Sequence, residues 1–273
     1  MENFIELNRT FFEIPVSGDN SVYAENDITQ TYQLKGKSSF NWDELLKEFR
    51  IILLAEAGAG KTQEILYATN TLRRENKNSF FLRLEHVVDN FDIAFEVGSY
   101  EEFQKWVSSN EEGWLLLDSV DEARLRDPRD FEKAIRKLAK EIGPALQRVR
   151  IVITSRVTAW RPKSDLLLCN DQLAFFIDQD NVEEELDDEN LNEINDKNGT
   201  DLVTEDHVSN KDKLKINKGF RVFTISDLSE SQVRTFVKAN GVDDVEMFLE
   251  HIQRQDAWMF TTRPQDLEEI VAY

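Results

Sequence analysis

Apolar residues in this chain come in short unbroken runs separated by mixed, heavily charged stretches. Ile51-Ile-Leu-Leu54, Phe80-Phe-Leu82, Trp114-Leu-Leu-Leu117 and Ile151-Val-Ile153 do not alternate with polar residues, as a half-solvated strand would. Continuous runs of this length predict strands buried on both faces of a sheet. The expected strands are Arg50–Leu54, Ser79–Glu85, Trp114–Asp118, Arg150–Thr154 and Gly219–Ile225. Between and after them lie stretches of helical period: Lys61–Asn76, Tyr100–Ser109 with Phe103 and Trp106 on one face, Asp130–Ile142, Glu230–Asn240, Val245–Gln255 and Pro264–Ala272. Gly143-Pro144 and Gly241 mark helix ends, and Ser229 with Gln232 marks a start. Strands alternating with helices predict an α/β fold, a parallel sheet flanked by helices with its ligand at the C-terminal strand edge.

The polar residues that close these runs carry the candidate chemistry. After the first strand comes Ala55-Glu56-Ala57-Gly58-Ala59-Gly60-Lys61-Thr62, a glycine-rich loop opening a helix. This is a P-loop layout: the glycines let the backbone turn its N–H groups inward, and the helix adds its positive end. Residues Glu56 to Gln63 would cradle the phosphates of a nucleotide, Lys61 reaching the terminal ones and Thr62 binding Mg²⁺. The strict pattern has glycine where this chain has Ala55, a change compatible with a negative φ. Trp114-Leu-Leu-Leu-Asp118 places a carboxylate at a buried strand's end, where it would hold the same Mg²⁺, as a Walker B aspartate does. Asp121 or Glu122, just beyond, would orient or deprotonate an attacking water. The strand closing in Thr154-Ser155-Arg156 would bring an arginine to that edge, to meet a γ-phosphate or a neighbouring subunit.

Together these segments resemble the NACHT branch of the STAND NTPases. The loop is similar to that family's Gly-Glu-Ala-Gly-x-Gly-Lys-Thr. Asp118-Ser119-Val120-Asp121-Glu122 resembles its Walker B signature, and Thr154-Ser155-Arg156 its sensor strand. Phe223–Gln232 looks like the entry to the family's small helical subdomain, and Arg263-Pro264 like the segment whose proline approaches adenine. The resemblance spans about residue 45 to the C-terminus. It implies a P-loop NTPase of the additional-strand, catalytic-glutamate class, with residues 45–226 as the core and 227–273 as the start of the helical subdomain. It implies an ATPase that acts as a switch, closed with ADP and self-oligomerising with ATP, triggered by an unidentified ligand that can be a protein. Bacterial members of the family frequently serve in antiviral defence. Members usually continue into further domains, so a fragment of a longer protein is expected.

Composition narrows the picture. The formal charge of −20 over 273 residues argues against duplex nucleic acid as partner. No apolar run is long enough for a membrane helix, and the N-terminus lacks a signal-peptide pattern. One cysteine, Cys169, excludes an internal disulfide framework and fits a reducing cytoplasm. The Asp/Glu/Asn-rich stretch 178–215 reads as a partly disordered insertion, or as a docking loop for a basic partner. The basic residues from Lys133 to Arg150 read as a solvated helix face more readily than as a binding patch.

Residues 1–44 are of unclear role. Phe4, Ile5, Leu7, Phe11, Phe12, Ile14 and Val16 partly alternate and suggest a strand or hairpin, and Asn41-Trp42-Asp43 starts a helix over Asp43–Phe49. Tyr32 or Trp42 could stack on adenine, with core packing as the alternative. Two other functions stay open beside the switch: a cycling mechanical ATPase, and a module that binds nucleotide without hydrolysis.

Overall fold

The structure is a computed structural model that describes residues 4–15, 39–124, 127–178 and 215–272. The acidic stretch, apart from its outermost residues, and both Val16 and Tyr32 lie outside them. In chain order the strands are β1 Phe11–Ile14, β2 Ser39–Phe40, β3 Arg50–Ala55, β4 Asn78–Arg83, β5 Phe95–Val97, β6 Gly113–Asp118, β7 Val149–Arg156, β8 Phe176–Asp178, β9 Lys215–Asn217 and β10 Arg221–Ile225. The helices are α1 Trp42–Leu45, α2 Lys61–Arg74, α3 Leu84–Val87, α4 Tyr100–Val107, α5 Val120–Ala123, α6 Asp130–Ile142, α7 Pro162–Gln172, α8 Glu230–Ala239, α9 Val245–Arg254 and α10 Pro264–Ala272.

An eight-stranded, mostly parallel sheet runs in the order β2-β1-β10-β3-β7-β6-β4-β5. The central strands β10, β3, β7, β6 and β4 are parallel to one another, and β1, β2 and β5 complete the edges antiparallel. The expected strands all form, with ends shifted by one or two residues. Strand β7 lies between β3 and β6, so the two strands that carry the glycine-rich loop and Asp118 are not neighbours.

The unbroken apolar runs are buried on both faces, as expected of central parallel strands. Ile52, Leu54, Leu115, Leu117, Ile151 and Ile153 pack on one face against α4, α6 and α7. Ile51, Leu53, Leu116 and Val152 point the other way, onto Leu45 of α1 and Ile65, Ala68 and Leu72 of α2. An aromatic cluster fills the first layer: Phe103 meets the rings of Phe80, Phe91 and Trp106, each at 5.5 Å between centroids. A third cluster joins Val233 and Phe236 of α8, Leu249 of α9 and Leu267 of α10 to Leu7 from the N-terminal segment.

A buried charge beside the core is satisfied by backbone carbonyls. Arg50 is 2% exposed and donates to the carbonyls of Leu173, Phe49, Val149 and Leu146 at 2.6–2.8 Å. Burial lowers its pKa to about 9, so it stays charged at neutral pH while tying β3 to β7 and the loop after α7.

The segment ahead of β3 departs from expectation in length. The helix closes at Leu45, held at its start by a capping box between Asn41 and Glu44. The alternating residues near the N-terminus yield β1, which pairs with β10 and β2. The basic residues between Lys133 and Arg150 are engaged locally: Lys133 with Asp127 and Asp130, Arg136 with Glu132, Arg148 with backbone carbonyls, Arg150 with Glu112.

Phe103 touches several aromatic neighbours and is fully buried, so truncation should leave a cavity. Phe103→Ala is expected to cost about 3–5 kcal/mol of unfolding free energy, read from a urea or guanidinium titration.

Candidate functional site

The C-terminal ends of β3, β6 and β7 meet in a cleft of about 370 Å³. It is lined by Ala57, Gly58, Gly60, Lys61, Thr62, Gln63, Asp118, Asp121, Glu122, Arg156 and Pro264, together with Ser119, Gln265 and Glu268. Most of the site residues expected from sequence therefore converge. Two do not face it: Glu56 is exposed outside the lining, and the Ala59 side chain packs into the core.

The loop owes its shape to glycine at two points. Gly58 has φ +76° and Gly60 φ +88°, the left-handed region where a side chain is strained. A Cβ on Gly58 would also lie 2.8 Å from Oε1 of Gln265 on α10. Ala55 has no such φ; it extends β3 and pairs with Arg156 of β7, which explains why alanine serves there. Helix α2 starts at Gly60 with no side-chain cap, so its first N–H groups remain directed to the loop. The Lys61 Nζ donates to the carbonyls of Ala55 and Glu56 at 3.3 Å. Burial lowers its pKa, while Asp121 and Asp118 support its charge.

Asp118 is the most enclosed acid of the cleft. Its Oδ2 accepts from the Thr62 hydroxyl at 2.6 Å and its Oδ1 from the Thr154 hydroxyl at 2.5 Å. Arg83 Nη1 stands 3.6 Å from Asp118 Oδ2 and 3.6 Å from Glu122 Oε2. Sequence reasoning missed Arg83. A signal existed: it closes the β4 run as Asp118 closes the β6 run, and the register pairs the two residues. Gln265 and Glu268 were missed too; their spacing of three puts them on one face of α10, beside Pro264.

The two candidate bases separate by environment. Asp121 is engaged: Arg156 Nε lies 2.7 Å from its Oδ2 and the Arg156 backbone N–H donates to its Oδ1 at 3.1 Å. Glu122 meets only Arg83 among these cations, at the longer distance. Its pKa is raised by burial first, then by Glu85 and Asp118, with Arg83 opposing. Asp121 is thus the brace of Arg156, and Glu122 is left without so close a cationic partner.

Trp42 does not stack in the cleft. Its ring meets Phe11 edge-on at 4.8 Å and its Nε1 donates to Glu64 Oε2 at 2.9 Å. The core-packing alternative holds for it. Pro264 does reach the loop: its Cγ is 3.6 Å from where a Cβ on Gly60 would stand. Neighbouring atoms reinforce that contact, since the Gln265 N–H donates to Gly58 O at 3.3 Å and Arg263 Nη1 to Ala57 O at 3.4 Å.

The donor set suits phosphate and a small hard cation. It offers loop amides, an ammonium and a guanidinium for anionic oxygens, and a hydroxyl with a carboxylate for a metal. Among the described residues, no helix is long and apolar enough to cross a membrane. The chain matches no protein-family model and no curated protein.

Gly58→Ala should lower unfolding free energy by about 1–2 kcal/mol through its left-handed φ. A urea titration measures this, and an unchanged stability would mean the loop has relaxed.

Proposed function

We propose that this protein is a Mg²⁺-dependent, ATP-binding and slowly hydrolysing switch module of the NACHT/STAND kind. The observation that carries the reading is the convergence of Lys61, Thr62, Asp118, Glu122 and Arg156 on one cleft, from three strands that are remote in sequence. The strand order, with β7 between β3 and β6, supports the additional-strand class of P-loop NTPases.

In this reading the loop amides and Lys61 bind the nucleotide phosphates. Thr62 and Asp118, whose oxygens already lie 2.6 Å apart, would hold Mg²⁺; the ion would neutralise phosphate charge. Glu122 orients a water and takes its proton on Oε2. Asp121 keeps Arg156 at the rim until the arginine turns to a terminal phosphate or to a second copy of the chain. Gln265 and Glu268 line the cleft from the side of α10. A switch requires that two conformations differ in affinity for ATP and ADP, since equal binding shifts nothing. The contacts from α10 to Ala57, Gly58 and Gly60 supply an element whose docking can differ between them.

The direct test is the nucleotide released by denaturing the freshly purified protein, resolved against ADP, ATP, GDP and GTP standards. Near-stoichiometric ADP supports a closed switch. Fast turnover of added ATP by an empty protein favours a cycling motor, and a protein that binds no nucleotide overturns the reading.

Two sets of variants follow. Lys61→Ala should abolish nucleotide binding, as read by fluorescent-nucleotide titration. Glu122→Gln should bind ATP normally and lower kcat by about 10²–10⁴-fold, the ordinary worth of a general base. The acid limb of kcat/KM against pH should lie above the usual glutamate range, because a base works only when deprotonated and burial raises this pKa. Arg83→Met removes a charge that opposes the rise, so it should move that limb to still higher pH.

A further inference from the structure

The glycine-rich loop is also held from its outer side, by a residue the proposed chemistry leaves without a role. Arg9, just ahead of β1, is 2% exposed. Its Nη1 donates to Ala59 O at 3.1 Å and its Nη2 to Ser226 O at 2.5 Å. Ala59 belongs to the loop, and Nη1 also stands 4.0 Å from where a Cβ on Gly60 would be. Ser226 follows β10 and leads to α8. Thr10 strengthens that junction: its carbonyl accepts from the Ser226 N–H and its hydroxyl donates to Ser226 Oγ, both at 2.9 Å. On its other side the segment enters the helical cluster through Leu7, and Gln232 Nε2 of α8 donates to Leu7 O at 2.8 Å and Asn8 O at 3.0 Å.

The peptide plane gives this contact its consequence. In a trans peptide the C=O and the following N–H point in opposite directions. Pinning Ala59 O outward onto Arg9 therefore aims the Gly60 N–H away from Arg9, to the opposite side of the loop. An anion drawing on that N–H would polarise the same peptide and strengthen the bond to Arg9, because linked hydrogen bonds reinforce one another. Burying a cation is costly, and Glu64 and Asp227 offset part of it. A purely apolar packing role would not call for a charge at this position. Lysine, a point charge without the planar fork, would not span both carbonyls in the same way.

We propose that Arg9 is a positioning residue that couples phosphate bound at the glycine-rich loop to the 7–12 segment and the start of α8. This inference rests on the nucleotide-binding reading. Because coupling is reciprocal, docking of the segment also tightens phosphate binding.

Hydrogen exchange of the wild-type chain, with and without Mg²⁺ and ADP, tests it without any variant. Exchange in residues 7–12 and 226–233 should slow by about fivefold or more when ADP binds, the lower end of ordinary coupling. Arg9→Lys should weaken ADP binding about tenfold or more, as loss of a charge-assisted bond implies, and should abolish the slowed exchange. ADP binding with unchanged exchange in both segments overturns the inference and leaves the nucleotide reading intact. Wild-type affinity together with a full exchange response in Arg9→Lys overturns it equally. Failure of the wild-type chain to bind ADP or ATP sinks both.

Discussion

A carboxylate removed from water must find donors, and Asp118 finds them on two other elements of the sheet edge. Thr62 at the start of α2 and Thr154 at the end of β7 each give it a hydroxyl, at 2.6 and 2.5 Å. Arg83 from β4 balances the charge at 3.6 Å. Four segments scattered along the chain are thereby brought to one small volume. Removing any donor would leave the anion under-satisfied, at a cost of about 1–3 kcal/mol or more for a charged group. The placement of Lys61, Glu122 and Arg156 depends on this junction, since each lies within a few residues of one of its members.

Charge is arranged by local pairing more than by overall balance. The chain carries a large negative excess, and the proposed site must still attract polyanionic phosphates. Under the proposed reading that falls to backbone amides, Lys61 and Arg156, while the nearby acids are partly engaged by hydroxyls and arginines. Asp121 holds Arg156 through both backbone and side chain. The net charge of the chain thus says little about the cleft, where Lys61 and Arg156 stand beside the acids.

The central sheet and much of the site were legible in the sequence because both depend on local signals. Unbroken apolar runs announce doubly buried strands, and the polar residue ending each run falls at one edge by the geometry of a parallel sheet. What the sequence hid depends on contacts between distant segments. Arg83 reads as an odd charge in a β-rich run until the β4–β6 register sets it beside Asp118. Asp121 and Glu122 are adjacent and alike, and it takes Arg156 beside one and Arg83 beside the other to tell them apart. Trp42 offers a ring suited to adenine, but Phe11 and Glu64 already occupy it. Helix α7 went unread because its apolar residues lack a clean helical period, although Pro162 sits at its first turn as a start signal. Strands β1, β2 and β5, at the two ends of the sheet order, are short, so their patterns carry little weight alone.

Alanine at the head of the loop has a consequence for how firmly the loop is anchored. Ala55 is the last rung of β3, opposite Arg156 in the parallel register with β7. A glycine there would leave that residue freer to wander before any anion arrives. Fixing the backbone of one residue costs about 1–2 kcal/mol of conformational entropy. With Ala55 held in the ladder, the backbone that must take its shape outside the sheet begins only at Glu56, and the hinge of the loop is set by the sheet itself.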